Sequence, residues 1–348
     1  MYIDTHVHLR DFNQTHKETI KHGLEVARDS GVDAVFDMPN TDPSITTEAV
    51  LRDRLKLARD ANVPEVFYGV YLGVTADPEQ VRKVVELTRT YREVVGLKLY
   101  AGHSVGNLGV VRFEDQQRIY EVLAREGYKG VLVVHAEKEE CMNPSKWDPK
   151  NPITHCIARP KLAEFASVED QIALALQTNF PGKLHIPHIS TTEAVDKVIT
   201  AKAQGLDISS GVCPHHLVFD WRQMEQSDGL LWKMNPPLRN EKTRKTMVGY
   251  LKEGKIDWVE TDHAPHTLNE KLELPYMSGI PGLPWWPLFD LYLQQQGFSR
   301  QQIEQLTFTN AAKRFGLNIE KTRHKLVSRT TEYAFNPYAV LEARLSGE

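Results

Sequence analysis

The sequence predicts a (β/α)8 barrel of the TIM type. Three observations carry that expectation. Eight short apolar runs suited to strands alternate with amphipathic stretches suited to helices, the pattern of parallel strands joined by helical crossovers. No Gly-x-Gly-x-x-Gly follows the first run, which disfavours a doubly wound dinucleotide-binding sheet. Polar and ionisable residues recur where the runs end, at the rim on which barrel enzymes assemble their sites. With 348 residues, no internal repeat and no low-complexity linker, the chain reads as one barrel domain, 1–348, with a short extension at about 318–348.

The strand candidates are residues 2–9, 33–38, 65–74, 94–100, 130–136, 183–189, 207–213 and 257–261. The helices between them show apolar spacing near 3.6, as in Leu51, Leu55 and Ala58, or Val81, Val84, Val85 and Leu87. Their starts are signalled too. Asp77-Pro78 places a cap before a proline, and Ser190 to Glu193 and Ser299 to Gln302 read as capping boxes. Residues 143–163 and 211–242 read as long connections over the rim. Little or no accessory β-sandwich is expected, because the first strand begins at residue 2 and the tail is short.

Composition narrows the function. The chain is 41% hydrophobic and 25% charged, ordinary for a globular protein, and its 42 basic and 46 acidic residues give a net charge of −4. The basic residues are scattered, so neither a nucleic-acid stripe nor a lipid-binding cluster is indicated. No run approaches the ~18 apolar residues of a membrane span. Cys141, Cys156 and Cys213 are odd in number and lack C-x-x-C spacing, which suits a reducing compartment, and nothing resembles a signal peptide. The expected setting is cytoplasmic, with a small polar substrate.

The rim residues are the informative ones. Alternate side chains of a strand share a face, so His6 and His8 in DTHVHLR point the same way. The other strand ends supply Asn40, Lys98, His135, His188, the pair His215-His216, and Asp262 with His266. A strand histidine taken singly is most often a hydrogen-bonded core residue; the convergence of the set on one rim is what points to chemistry. Lys98, in GLKLY, puts an ammonium among apolar neighbours, where desolvation favours the neutral amine. Such an amine reacts with carbon dioxide to give an anionic carbamate able to bridge two metal ions. Two Zn²⁺ balanced by a carbamate, Asp262 and a hydroxide would leave about one positive charge for an anionic substrate. Arg10, beyond His8, offers a planar guanidinium suited to a carboxylate. Cys213 beside the paired histidines reads as a small buried thiol.

DTHVHLR, MPNT, GLKLY, VVHAE, PHIS, CPHHL, NPPLR and TDHAPHT stand in one order over residues 3–282, and in this the chain resembles the dihydroorotases of the amidohydrolase superfamily. The resemblance implies the metal-dependent barrel fold and reversible cyclisation of N-carbamoyl-L-aspartate to L-dihydroorotate, a step of pyrimidine synthesis. It implies that His6, His8, carboxylated Lys98 and Asp262 hold one zinc, and that the Lys98 carbamate, His135 and His188 hold the other, with a hydroxide between them. Asp262 would serve as general base and then acid. Arg10, Asn40 and His266 would grip the substrate carboxylate, and Asn235 and Gly282 would meet the ring. Ser104, in the loop 101–109, would supply a hydroxyl. A homodimer and association with aspartate transcarbamoylase are the partner expectations. Other cyclic amidases, acting on hydantoin, dihydropyrimidines or allantoin, form the runner-up reading, and a silent structural partner of aspartate transcarbamoylase is the non-enzyme alternative. Pro284 departs from the family pattern, which often has Glu there, and leaves the start of the eighth helix open.

Overall fold

The structure is a computed structural model that describes residues 1–103, 107–319, 321–322 and 324–346. Eight parallel strands follow one another around a single sheet in chain order: β1 (Tyr2–Val7), β2 (Val32–Asp37), β3 (Phe67–Gly73), β4 (Val94–Tyr100), β5 (Val131–His135), β6 (Lys183–Ile186), β7 (Ile208–Val212) and β8 (Trp258–Val259). The ring closes through a parallel bridge between Val7 and His263, with the His8 amide donating to the His263 carbonyl at 2.8 Å. Among the described residues every named strand belongs to this sheet. No described helix is long and apolar enough to cross a membrane.

The crossover helices are α1 (Ile20–Asp29), α2 (Glu48–Asp60), α3 (Pro78–Thr90), α4 (Phe113–Arg125), α5 (Lys161–Gln177), α6 (Thr192–Ala203), α7 (Glu241–Lys252) and α8 (Trp286–Gln295). Each starts where local chemistry allows. Thr19, Thr47 and Asp77 accept hydrogen bonds from amides of the first turns of α1, α2 and α3. The capping box at Ser299 forms as the sequence suggests. The one expected at Ser190 does not: the helix N-cap falls one residue later, at Thr191, and buried Glu164 takes the Ser190 hydroxyl and accepts from the amides of Ser190 and Thr191 at 2.8 and 3.2 Å. Pro284 lies in a single 3-10 turn, Leu283–Trp285, that leads into α8.

Two apolar layers hold the barrel. The larger lies between strands and helices; the smaller fills the barrel's lower half with Ile3, Phe36, Tyr71, Val133 and Trp258. Phe315 plugs the N-terminal end, edge-on to Phe36 with centroids 4.7 Å apart.

Several strands end earlier than the sequence suggests, β6 at Ile186 rather than 189 and β8 at Val259 rather than 261. The reason is backbone geometry. Arg10, His188 and Asp262 adopt φ of 45°, 41° and 50°, left-handed values that stop a strand and turn the side chain across the barrel mouth.

The C-terminal segment runs up the barrel side from bottom to top. Val327 N–H donates to Asp29 O at 2.9 Å, Arg329 pairs with Asp29, and Tyr333 Oη donates to buried Glu18 at 2.7 Å. A last helix, α9 (Ala339–Ser346), rests Glu342 against Trp285 Nε1 at 3.0 Å. His22 clasps this strap to α1, lying 3.0 Å from Glu18 and 2.8 Å from Glu332. Its hydrogen bond to Glu18, with help from Glu332, raises the imidazole pKa to about 9. A folded pKa above the unfolded value stabilises fully below about 6.5, and that contribution is lost as pH rises through about 9. Thermal unfolding should therefore show a falling Tm between pH 7 and 9.5 that is visibly flatter in His22→Gln; equal slopes in the two proteins would refute the clasp.

Candidate active site

The barrel mouth holds a cavity lined by His6, His8, Arg10, Asn40, Lys98, Tyr100, His135, His188, Asn235, Asp262, Ala264, Ser278 and Gly279. Nine of the residues singled out in the sequence meet here, although they come from every part of the chain.

Lys98 stands at the centre. It lies in the second half of β4, is 0% exposed, and its Nζ has no hydrogen-bond partner among the described residues. Burial lowers its pKa to about 7, against the opposing pull of Asp262 and Glu260. The four surrounding imidazoles are likewise held neutral by burial, with pKa values below the usual histidine range. Neutral imidazoles and a neutral amine are the protonation states that ligation and carbamate formation require.

The donor atoms face one another. His8 Nδ1 lies 2.8 Å from Asn40 Oδ1, and His8 Nε2 lies 2.9 Å from Asp262 Oδ1. His6 Nε2 is 3.4 Å from the same oxygen. Ligand atoms of His6, His8 and Asp262 all lie within 4.8 Å of one another. Across the mouth, His135 Nδ1 and His188 Nε2 approach to 3.2 Å, while His135 Nε2 faces Glu137 at 3.2 Å. Lone pairs and a carboxylate directed at common points suit cations, so the residues fit a metal centre around Lys98.

Four buried carboxylates, none of them singled out in the sequence, brace the left-handed turns. Asp37 accepts the Leu9 amide at 2.9 Å and pairs with fully buried Arg54, whose Nη1 reaches the Arg10 carbonyl. Glu260 accepts the His188 amide at 2.8 Å and the Thr5 hydroxyl. On either side of Asp262, Thr261 is held by Asp4 and His263 by Glu18 at 3.0 Å. A signal for them exists in VDAVFD and WVETD, where carboxylates interrupt apolar strands; without the turns they support, that signal has no meaning.

The remaining expected residues divide. Arg10 lines the cavity, buried, with Nε donating to Pro265 O at 3.2 Å. His266 sits behind it rather than in the cavity wall: its Nε2 is 3.0 Å from Arg10 Nη2 and 3.1 Å from Ser278 O, so one tautomer serves one partner at a time. Asn235 lines the cavity and meets His155 Nε2 at 3.0 Å. Gly282 lies outside the cavity lining, its amide donating to His263 Nδ1 at 3.0 Å. Ser104 is outside the described residues. Cys213, His215 and His216 are buried together beside the site.

The chain is 32% identical over 331 residues to a dihydroorotase of Methanosarcina mazei, covering 91% of this chain and 70% of that protein. A Brevibacillus brevis dihydroorotase is 30% identical over 344 residues, 98% of this chain and 74% of the relative. The chain belongs to the dihydroorotase family. That family consists of metal-dependent amidohydrolases, in keeping with the donor set just described. No family model matches the chain. Among solved structures, L-hydantoinase from Arthrobacter aurescens superposes with a TM-score of 0.81 at 22% identity, covering 90% of this chain and 70% of that one. A Saccharomyces cerevisiae dihydroorotase in complex with 5-fluoroorotic acid gives 0.73 at 17% identity, covering 92% and 85%. At those identities the likeness extends to the barrel fold; the dihydroorotase assignment comes from the sequence relatives.

Proposed function

We propose that this chain is a zinc-dependent dihydroorotase that interconverts N-carbamoyl-L-aspartate and L-dihydroorotate in pyrimidine synthesis. One observation carries the reading: a single cavity joins a cluster of imidazoles and a carboxylate around Lys98 to a buried guanidinium, Arg10. Hydantoin and dihydrouracil lack a carboxylate to meet that guanidinium, and dihydroorotate has one.

His6, His8, Asp262, His135 and His188 would hold two zinc ions bridged by Lys98 as its carbamate, formed when the neutral amine adds to carbon dioxide and releases a proton. Bound there, the metals would lower the pKa of a shared water from about 15.7 toward 7 and polarise the ring carbonyl. Asp262 does the proton work: its carboxylate takes the proton from the attacking water and returns it to the departing ring nitrogen, and the reverse sequence closes the ring. Arg10 and Asn40 fix the substrate carboxylate, His266 backs the guanidinium, and Asn235 faces the ring from the far wall. Ser104 and Gly282 remain proposed substrate contacts from the family pattern alone. A cytoplasmic setting, a homodimer and association with aspartate transcarbamoylase belong to the same proposal, the last two read by sedimentation of the purified chain with and without that enzyme.

The zinc-loaded protein should turn over dihydroorotate with a kcat/KM at least about a hundredfold above those for dihydrouracil, hydantoin and allantoin, as expected when a buried charged group is left without its partner. Preference for an uncharged ring would replace this reading with the hydantoinase one.

A further inference from the structure

Tyr100 ends β4 two residues beyond Lys98, on the same face of the strand. Its register partner on β5 is His135, and the two rings lie 6.1 Å apart between centroids. The side chain is 3% exposed and lines the cavity with Arg10, Asn235 and Asp262. Its hydroxyl oxygen is buried and has no hydrogen-bond partner among the described residues.

The other barrel phenols are treated differently. Tyr68 donates to Asp37 at 2.7 Å, Tyr71 to the Thr5 carbonyl at 3.0 Å, Tyr120 to Gln171 at 3.0 Å and Tyr128 to the Val131 carbonyl at 3.0 Å. Tyr338 is also unpartnered, but it packs in the outer layer against Phe219 and Trp285 and does not line this cavity. A buried hydroxyl without a partner destabilises a fold, and phenylalanine would fill the same space without that cost. At Tyr100 the side chain that carries the unpaired donor lines the same cavity as Arg10 and Asp262. The molecule proposed to bind here is rich in acceptors, with a carboxylate and ring carbonyls.

We infer that the Tyr100 hydroxyl is a further substrate-binding group, donating a hydrogen bond to a carboxylate or ring-carbonyl oxygen of the cyclic substrate in the cavity that Tyr100 shares with Arg10 and Asp262. This rests on the dihydroorotase reading above and adds a contact that none of the family motifs assigns. It accounts for a hydroxyl that the protein itself leaves unpaired.

The test uses zinc-loaded wild type and Tyr100→Phe, with kcat and KM measured in both directions, zinc per subunit, and Tm without substrate. The expected result is a rise in KM of about tenfold to a hundredfold, with zinc content unchanged and the ligand-free Tm equal or higher. An unchanged KM would overturn the inference. A lower Tm and lower zinc content together would also overturn it, because the hydroxyl would then be serving the protein's own framework. Should the wild type turn over hydantoin or dihydrouracil in place of dihydroorotate, the dihydroorotase reading fails separately, and the same KM comparison on that ring still decides the role of the phenol.

Discussion

Lys98→Ala is expected to lose on the order of 10³-fold or more in kcat, together with most of its bound metal. The physical reason lies in the surroundings of Nζ. Four neutral imidazoles and one carboxylate, Asp262, converge on the mouth, and two divalent cations placed there need a second anion between them. An ammonium would add to the repulsion; a carbamate removes it. Short carboxylic acids added to Lys98→Ala should restore part of both zinc content and turnover, since they supply the missing pair of oxygens. Full activity in that variant without rescue would eliminate the carbamate from the mechanism.

Arg10→Met should act on the grip of the substrate carboxylate. Its expected effect is a drop of about a hundredfold or more in kcat/KM for dihydroorotate, mainly through KM, with zinc content near that of wild type. Two features support a substrate-binding role for the guanidinium. It is buried against Pro265 O and His266, and the nearby acids have other partners: Asp37 pairs with Arg54 and Glu18 with His263. Zinc loss in this variant would instead assign Arg10 to the framework, through the left-handed turn that carries it. Measuring metal content beside kinetics separates the two outcomes.

The barrel and most of its mouth are legible in the sequence because they rest on short-range signals. Alternation places His6 and His8 on one face, and an unmatched lysine inside GLKLY marks its strand as unusual. His135, His188 and Asp262 can be found because each ends an apolar run. What escapes is set by contacts between distant segments. Glu260 is only one more acid until the His188 turn lies over it, and Asp37 gains its role from Arg54, 17 residues away, and from the Leu9 amide, 28 away. The early ends of β6 and β8 are hidden for the same reason: left-handed backbone at His188 and Asp262 is imposed by these buried hydrogen bonds, against the local preference of the residues. His266 is recognisable as a rim residue, yet its place behind Arg10 depends on the path of residues 263–282, which no periodicity encodes. The Ser190 cap is lost because the helix starts one residue later and Glu164, 26 residues earlier, holds the Ser190 hydroxyl.

The central claim is that Lys98, neutral because it is buried, becomes the anion that holds two metal ions together. A crystal structure of protein supplied with zinc and bicarbonate, with anomalous scattering recorded at the zinc edge, tests it most directly. The account predicts two anomalous peaks in the barrel mouth and continuous density for a carboxyl group beyond Nζ of Lys98. A bare ammonium paired with Asp262, in a mouth without anomalous peaks, would contradict it.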